Sequence, residues 1–132
     1  MSIISKVSPL APKNFPFMLP VSGVRFSTAN AGIKSGDGDD LTLIILDPDT
    51  EIAGLFTSSL MRSAPVIDCQ SKIGIEVHGK GAAIIINSGN ANAFTGRQGE
   101  NAVREIVDSL STIADLPCLL YTSDAADEPK GV

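Results

Sequence analysis

The stretch that decides the fold covers residues 82–114 and reads AAIIINSGNANAFTGRQGENAVREIVDSLSTIA. It opens with a short apolar run, residues 82–86, which is typical of a buried strand. It closes with apolar residues at the three- and four-residue spacing of a helix with one buried face, namely Val103, Ile106, Val107, Leu110, Ile113 and Ala114. A strand, a polar loop and an amphipathic helix in succession predict an α/β fold built in layers.

The start and the outer face of this helix can also be predicted. Thr95 and Gln98 fit a capping box, in which each side chain satisfies a backbone N–H of the first turn. The polar residues of the helix are expected to face solvent: Arg104, Glu105, Asp108 and Ser111.

Three earlier segments are interpreted as strands: residues 21–29, 41–46 and 52–57. The nearly continuous apolar run at residues 41–46 is expected to be buried on both faces. Between the second and third segments, Pro48 fixes φ at the second position of a turn. Residues 41–57 are therefore interpreted as a hairpin.

The other upstream segments give weaker signals. Residues 1–20 are Pro-rich and nonperiodic, which predicts an extended arm. Residues 30–40 are rich in Gly and Asp and predict a loop. Residues 63–70 stay undecided, because Pro65 excludes a helix interior there.

Length and charge exclude several classes of protein. The chain has 132 residues, which predicts one domain or a piece of one. Its net charge is −5 and its cations are scattered singly, whereas nucleic-acid binding needs clustered positive charge. No apolar run reaches the roughly 20 residues of a membrane span, and prolines interrupt the segment where a signal peptide needs an apolar core. With two cysteines and one histidine outside any metal-binding spacing, we expect a cytoplasmic protein without a metal site.

The end of the chain differs from the rest. Residues 118–128 read CLLYTSDAADE, which resembles one translated frame of the transposase adapter used to prepare sequencing libraries. We favour that origin over a short natural strand at residues 119–122 followed by a ragged tail. Residues 1–117 are therefore interpreted as an N-terminal domain fragment and residues 118–132 as a non-native tail. We expect this tail to pack nowhere specifically, apart from an accidental strand at Leu119, Leu120 and Tyr121.

Residues 87–99 are the strongest candidate for a functional element. Three asparagines supply amides that both donate and accept hydrogen bonds, namely Asn87, Asn90 and Asn92. Three glycines permit tight turns, namely Gly89, Gly96 and Gly99. A loop at the carboxyl end of a strand is well placed to bind a small ligand. The alternative is that the amides only satisfy the loop's own backbone.

The other candidates are weaker. His78 lies among charged and glycine residues and is interpreted as a surface residue. The acidic run at residues 36–40 lacks the spacing of an EF-hand calcium loop and is interpreted as solvated. Cys69 has no nearby histidine and is expected to be an inert thiol. The hydroxyls of residues 57–59 lack an assignable general base.

Residues 87–99, hereafter the signature segment, resemble the NSGNANAxTGxQG motif of the ornithine acetyltransferases, also called bifunctional glutamate N-acetyltransferases. Four further blocks match that family in order: residues 8–13 (SPLAPK), 31–34 (AGIK), 53–57 (AGLFT) and 63–66 (SAPV). The motif positions singled out here are Asn87, Ser88, Gly89, Asn90, Asn92, Thr95, Gly96 and Gly99. Two places depart from the family pattern, which commonly has Thr-Asn at residues 58–59 and a small residue or Cys at Phe94.

The resemblance implies a partial αββα fold of the N-terminal-nucleophile type, with this chain as the N-terminal part of the α chain. In that family a precursor cuts itself before a Thr, whose hydroxyl takes the acetyl group from N-acetylornithine and passes it to glutamate. Some members also use acetyl-CoA as donor. The family's nucleophile and its oxyanion-binding Thr-Gly pair have no counterpart in this sequence. The resemblance therefore implies no catalytic residue, no cofactor and no metal here, and a need for the rest of the α chain and for the β chain.

Two other interpretations stay open. The chain is a small α/β module that binds a ligand through residues 87–95, or it is a truncated reading frame without function.

Overall fold

The computed structural model describes residues 10, 12–14, 16–75, 79–116 and 118–124. Within these ranges the elements in chain order are β1 Val24–Ala29, β2 Leu41–Leu46, α1 Ala64–Lys72, β3 Ala82–Ser88, α2 Gly96–Ala114 and β4 Cys118–Asp124. Neither helix combines the length and the apolar character that crossing a membrane requires. Most of the predicted arm at residues 1–20, and His78, lie outside the described residues.

The strands form one sheet in the order β1-β2-β3-β4. β1 and β2 pair antiparallel, as do β2 and β3, so that Ile44 lies opposite both Phe26 and Ile84. β3 and β4 run parallel, with Ile84 opposite Leu120. Because parallel neighbours need a crossover connection, α2 completes a βαβ unit that begins with the predicted strand at residues 82–86. The predicted α/β fold is confirmed.

The predicted hairpin at residues 41–57 is wrong. β2 pairs with β1 through the loop at residues 30–40, and residues 51–59 form no strand. The predicted turn does form, with the Thr50 N–H 3.4 Å from the Asp47 carbonyl oxygen. Pro48 is the second residue of this turn and Asp49 is the third. Asp49 has φ 65°, and a positive φ at the third position is typical of a type II turn. Type II turns splay the flanking strands, which explains why no two-residue hairpin follows.

The undecided segment at residues 63–70 is the start of a helix. Pro65 lies in the first turn of α1, where its missing N–H would have no helical acceptor in any case. Four residues apart on this helix, the Lys72 ammonium and the Asp68 carboxylate form an ion pair at 2.7 Å. The proline therefore begins the helix instead of excluding it.

The predicted amphipathic helix is confirmed as α2, with one correction to its buried face. Val103 and Val107 are buried, and Ile106 and Leu110 pack beside them against the core. Ile113 is 80% exposed, contrary to the prediction. At 3.6 residues per turn it lies about 80° around the helix from Val103, at the margin of the apolar stripe.

Both helices pack on one face of the sheet. The core joins Ala64 of α1, Ala83 and Ile85 of β3, and Val103 and Val107 of α2. On the opposite face Phe26 is 65% exposed, and Ile44 and Ile84 are half-buried. The prediction that residues 41–46 are buried on both faces is therefore wrong, since the described helices cover only one. The arrangement corresponds to one α layer on one β layer.

β4 corrects the expectation for the end of the chain. Its backbone pairs with β3 from Cys118 to Asp124, and Leu120 is buried. The expectation that only residues 119–121 pair is therefore wrong, because an open strand edge offers backbone N–H and C=O groups that polar residues can pair with as well. Residues 125–132 lie outside the described residues. The non-native origin of residues 118–132 stays a prediction.

Candidate functional site

The candidate site begins inside β3, at its carboxyl end. Asn87 and Ser88, which the sequence placed after the strand, are its last two residues. Asn87 is only 1% exposed, because its side chain points with those of Ala83 and Ile85 toward the helical layer. Its Nδ2 donates a hydrogen bond to the Asn90 carbonyl oxygen at 2.9 Å. A buried amide thus fixes the point where the chain leaves the sheet.

The rest of the signature segment is bonded mainly to itself. The Asn90 Oδ1 accepts the Asn92 N–H at 2.9 Å, and the Thr95 hydroxyl donates to the Asn92 carbonyl oxygen at 3.0 Å. Asn92 and Phe94 adopt left-handed backbone conformations, with φ 51° and 59°. Asparagine tolerates this region better than most residues, since its amide bonds locally. These contacts support the alternative that the amides satisfy the loop's own backbone.

The predicted capping box does not form. Thr95 does precede α2, but its side chain makes no capping hydrogen bond to the helix. Its backbone is near-helical (φ −93°, ψ −3°), whereas a capping residue is normally extended. Its hydroxyl therefore faces back toward Asn92 instead of toward the first turn.

Gly99 allows Thr95 and the helix to approach closely. A Cβ built on Gly99 would lie 1.9 Å from the Thr95 Oγ1 and 2.8 Å from the Thr95 Cβ. Carbon atoms do not approach so closely without displacement of the chain. The last glycine of the motif is therefore explained by packing within the segment.

Two of the other family blocks meet the signature segment. At the start of α1, the Ala64 N–H donates to the Asn92 carbonyl oxygen at 3.3 Å. Residues 31–34, hereafter the AGIK turn, approach from the β1–β2 loop. A Cβ built on Gly89 would lie 3.3 Å from the Cβ and Cγ of Lys34. The AGIK and SAPV blocks are thus brought to one end of the sheet.

The AGLFT block is placed elsewhere. A Cβ built on Gly54 would lie 3.6 Å from the Ile73 Cδ1, at the opposite end of α1. The hydroxyl residues that follow are exposed, and their described bonds are local, such as that from the Ser59 N–H to the Thr57 Oγ1 at 3.2 Å. The SPLAPK block lies partly outside the described residues.

Asp40 is a site residue that the sequence did not reveal. The sequence predicts a solvated acidic run at residues 36–40, yet Asp40 is only 3% exposed, unlike Asp37 and Asp39. Its carboxylate accepts the N–H groups of Ala31 and Ile33, each at 2.6 Å, and that of Lys34 at 2.9 Å. One signal could have identified it: it is the last acid of the run and stands directly before an apolar strand.

The electrostatics of Asp40 follow from these contacts. The backbone N–H groups of Lys34 and Ala31, followed by that of Ile33, hold the pKa of the Asp40 carboxyl below its usual 3.8, although its burial acts in the opposite direction. Hydrogen bonds to the charged form stabilise it. Asp40 is therefore ionised at neutral pH and acts as an acceptor for the AGIK turn.

Among the residues that the structure describes, the contacts fix the path of the backbone but bring together no reaction centre. A Thr hydroxyl becomes a nucleophile when a base removes its proton, whereas Thr95 donates its proton to a carbonyl oxygen. Cys69 is buried within α1. In the described part of the chain, no three His, Cys, Asp or Glu side chains are grouped to hold a metal ion. A shallow depression of about 430 Å³ on α2, between Ala102, Ile106 and Leu110, contains none of the motif residues.

Comparison with known proteins identifies the family. A profile described as the ArgJ family matches residues 25–122. This chain belongs to the ArgJ family. It is 47% identical over 117 residues to the arginine biosynthesis bifunctional protein ArgJ of Ruegeria pomeroyi, covering 89% of this chain and 28% of that protein. It is 49% identical over 105 residues to the protein of the same name from Brucella suis, covering 80% of this chain and 25% of that one.

Solved ArgJ-family structures share the fold. The crystal structure of ArgJ from Bacillus halodurans superposes with a TM-score of 0.68 at 25% identity, covering 77% of this chain and 53% of that chain. Ornithine acetyltransferase from Mycobacterium tuberculosis, crystallised with ornithine, gives 0.66 at 28% identity, covering 84% and 58%. The chain spans only about a quarter of the length of the curated relatives it matches.

Proposed function

We propose that this ArgJ-family chain is the N-terminal part of an acetyltransferase that moves an acetyl group from N²-acetyl-L-ornithine to L-glutamate in arginine biosynthesis. The single observation that supports this most strongly is the signature segment, which carries the whole family motif at the carboxyl end of β3. That end of a strand is where α/β folds place their ligands. The protein acts in the cytoplasm.

In this proposal the chemistry belongs to a Thr hydroxyl outside this chain. The hydroxyl attacks the acetyl carbonyl of acetylornithine, the acetyl–nitrogen bond breaks, and ornithine leaves with the proton. The glutamate amine then attacks the acyl-enzyme ester and restores the hydroxyl. Acetyl-CoA serves as an alternative acetyl donor of the intact enzyme, and no further cofactor takes part. The role of this chain in the proposal is to hold the signature segment in place beside the acetyl-transfer site.

The exposed apolar side chains of this chain support the proposal that the rest of the α chain and the β chain pack against it. Phe26 on the open sheet face is 65% exposed, and Leu55 and Leu60 are almost completely exposed. Exposed apolar side chains in such number are typical of a surface that another part of a protein covers. We infer that the remainder of the α chain and the β chain cover them.

The ligand-binding module remains a second candidate, but the loop contacts count against it. Asn87 donates into the loop, and the side-chain oxygen of Asn90 accepts from Asn92. These groups would have to break bonds with the loop before they could bind a ligand. The third candidate is that the chain is a truncated reading frame that does not fold and has no function.

A chimera tests the proposal. Residues 1–117 of this chain would replace the matching segment of the Ruegeria pomeroyi protein, to which the chain is 47% identical. The purified chimera should transfer acetyl groups from N-acetylornithine to glutamate, whereas the 132-residue chain alone should show no transfer and no self-cleavage. A soluble, folded chimera without activity would contradict the proposed function. Saturable amide shifts at residues 87–96 of the chain alone, on titration with ornithine, N-acetylornithine or glutamate, would support the binding module instead.

A further inference from the structure

Asp40 contacts both segments that meet at the carboxyl end of β3. Its carboxylate accepts three N–H groups of the AGIK turn, at 2.6 to 2.9 Å. Its own backbone carbonyl accepts the Ser88 N–H at 2.9 Å, and its N–H donates to the Ala29 carbonyl oxygen at 3.1 Å. The residue is thus fixed to β1 and β3 through its main chain and to the turn through its side chain.

The AGIK turn itself contacts the signature segment. The Lys34 side-chain stem lies against Gly89, which has φ 95° and no side chain of its own. Any residue with a Cβ at position 89 would meet Lys34 at 3.3 Å and would be strained in this left-handed conformation. The position of the AGIK turn and the path of the signature segment are therefore coupled.

We propose that Asp40 is a positioning residue, which seats the AGIK turn against Gly89 and thereby fixes the path of the signature segment. Its relevance to acetyl transfer rests on the proposed function, whereas the structural coupling does not. The Asp40 carboxylate acts through the turn, whereas its main-chain carbonyl bonds directly to Ser88.

The carboxylate suits this role because it can accept several N–H groups at once. Consecutive N–H groups of a turn form a concave site for an anion, and bonds to a charged acceptor are stronger than neutral ones. The Asp40→Asn substitution keeps the shape of the side chain but replaces one acceptor oxygen with a donor NH₂ group. That donor would face the N–H groups of Ala31, Ile33 or Lys34, and at least one bond would be lost.

The test compares two variants of the 132-residue chain by amide hydrogen exchange. Asp40→Asn should speed exchange at Ile33 and Lys34 by about tenfold or more, since each bond to a charged group is worth roughly a factor of ten. It should also shift the amide resonances of Gly89 and Asn90. Asp37→Asn removes the same charge from an exposed residue of the same loop and should leave all four unchanged.

A pH titration of the unaltered chain gives an independent readout that does not depend on the variant folding. Because its folded-state pKa is lowered, the stability that Asp40 contributes is complete above the usual pKa of 3.8 and is lost as pH falls through the lower folded value. The amide protons of Ala31, Ile33 and Lys34 should shift together with one midpoint below 3.8, and Gly89 should share that midpoint.

The nearby ionisable groups can be separated from this titration. Asp37 and Asp39 lie in the same loop, Lys34 lies in the turn, and Arg25 of β1 pairs with Asp47 at 3.6 Å. β2, β3 and residues 89–95 contain no ionisable side chain. The shared midpoint should persist in Asp37→Asn.

Two results would overturn the proposal. One is a change confined to residues 31–34 in Asp40→Asn, with Gly89 and Asn90 unmoved. The other is a Gly89 midpoint in the unaltered chain that differs from that of Ile33. Neither measurement uses a substrate, so an inactive chimera would contradict the proposed function and leave this coupling standing.

Discussion

The signature segment and the AGIK turn meet at the same end of the sheet, but they are held in opposite ways. The side chains of the signature segment bond mainly within it, to groups two or three residues along the chain. The AGIK turn is bonded from outside, by one carboxylate six to nine residues away. The first depends on several local contacts, whereas three of the N–H groups of the second share one acceptor residue and only that of Gly32 bonds elsewhere, to the Asn30 Oδ1.

This difference predicts how each segment responds to substitution. Within the signature segment, changes at its two buried positions, Asn87 and Gly99, and at the left-handed Gly89 should have large effects. Exposed positions should tolerate change, because solvent replaces a lost hydrogen bond there. In the AGIK turn, by contrast, the decisive side chain lies outside the turn itself.

The largest effect is expected for Gly99→Ala. Such a change inside a helix normally stabilises a protein by up to about 1 kcal/mol. Here the new Cβ would meet the Thr95 Oγ1 at 1.9 Å and the Thr95 Cβ at 2.8 Å, so rotation of the hydroxyl alone cannot relieve the clash. We expect the free energy of unfolding in urea to fall by about 3 kcal/mol.

The matched control is Gly38→Ala, because a Cβ there has open space around it. It should change the unfolding midpoint little. A Gly99→Ala chain as stable as the parent would show that Thr95 and the helix move apart without strain. The packing explanation for this motif glycine would then be wrong.

The same distinction decides what the sequence could predict. β3, α2 and the loop between them follow from local patterns: an apolar run, a helical repeat and a cluster of Asn and Gly. The bonds of Asp40 do not follow from a local pattern, because its N–H partners lie six to nine residues away and the acidic run that contains it is typical of a solvated loop. The sequence also predicts the wrong partner for β2, which pairs with β1 and not with residues 52–57. The turn at residues 47–50 has a positive φ at Asp49, and composition does not determine that angle.

Errors at the ends of elements have a similar origin. Pro65 leaves residues 63–70 undecided in the sequence, although in the first turn of α1 it favours a helix. Thr95 matches a capping box in sequence, but its hydroxyl bonds to Asn92 instead. In both cases a residue's effect depends on its exact place relative to the first turn, which a pattern fixes only to within a few residues.

An intermediate effect is expected for Asn87→Ala. The substitution removes the bond to the Asn90 carbonyl oxygen and empties space at a position that is 1% exposed. The lost hydrogen bond and the emptied space at this buried position add, and we expect a loss near ~2 kcal/mol in urea unfolding. Asn101→Ala, at an exposed position of α2, is the control and should change stability by less than about 0.5 kcal/mol. Equal effects of the two would show that Asn87 does not fix the start of the signature segment.

The smallest effect is expected for Asn90→Ala, which tests the claim that the segment is held by many weak bonds. Asn90 is exposed, and its Oδ1 accepts the Asn92 N–H at 2.9 Å. Water can replace that acceptor, so the loss in urea unfolding should be about 0.5 kcal/mol. Asn90→Asp keeps an acceptor oxygen in the same place and should restore the parent stability. A loss above about 2 kcal/mol for Asn90→Ala would mean that this segment, like the AGIK turn, depends on one dominant side chain, and the contrast between the two would no longer hold.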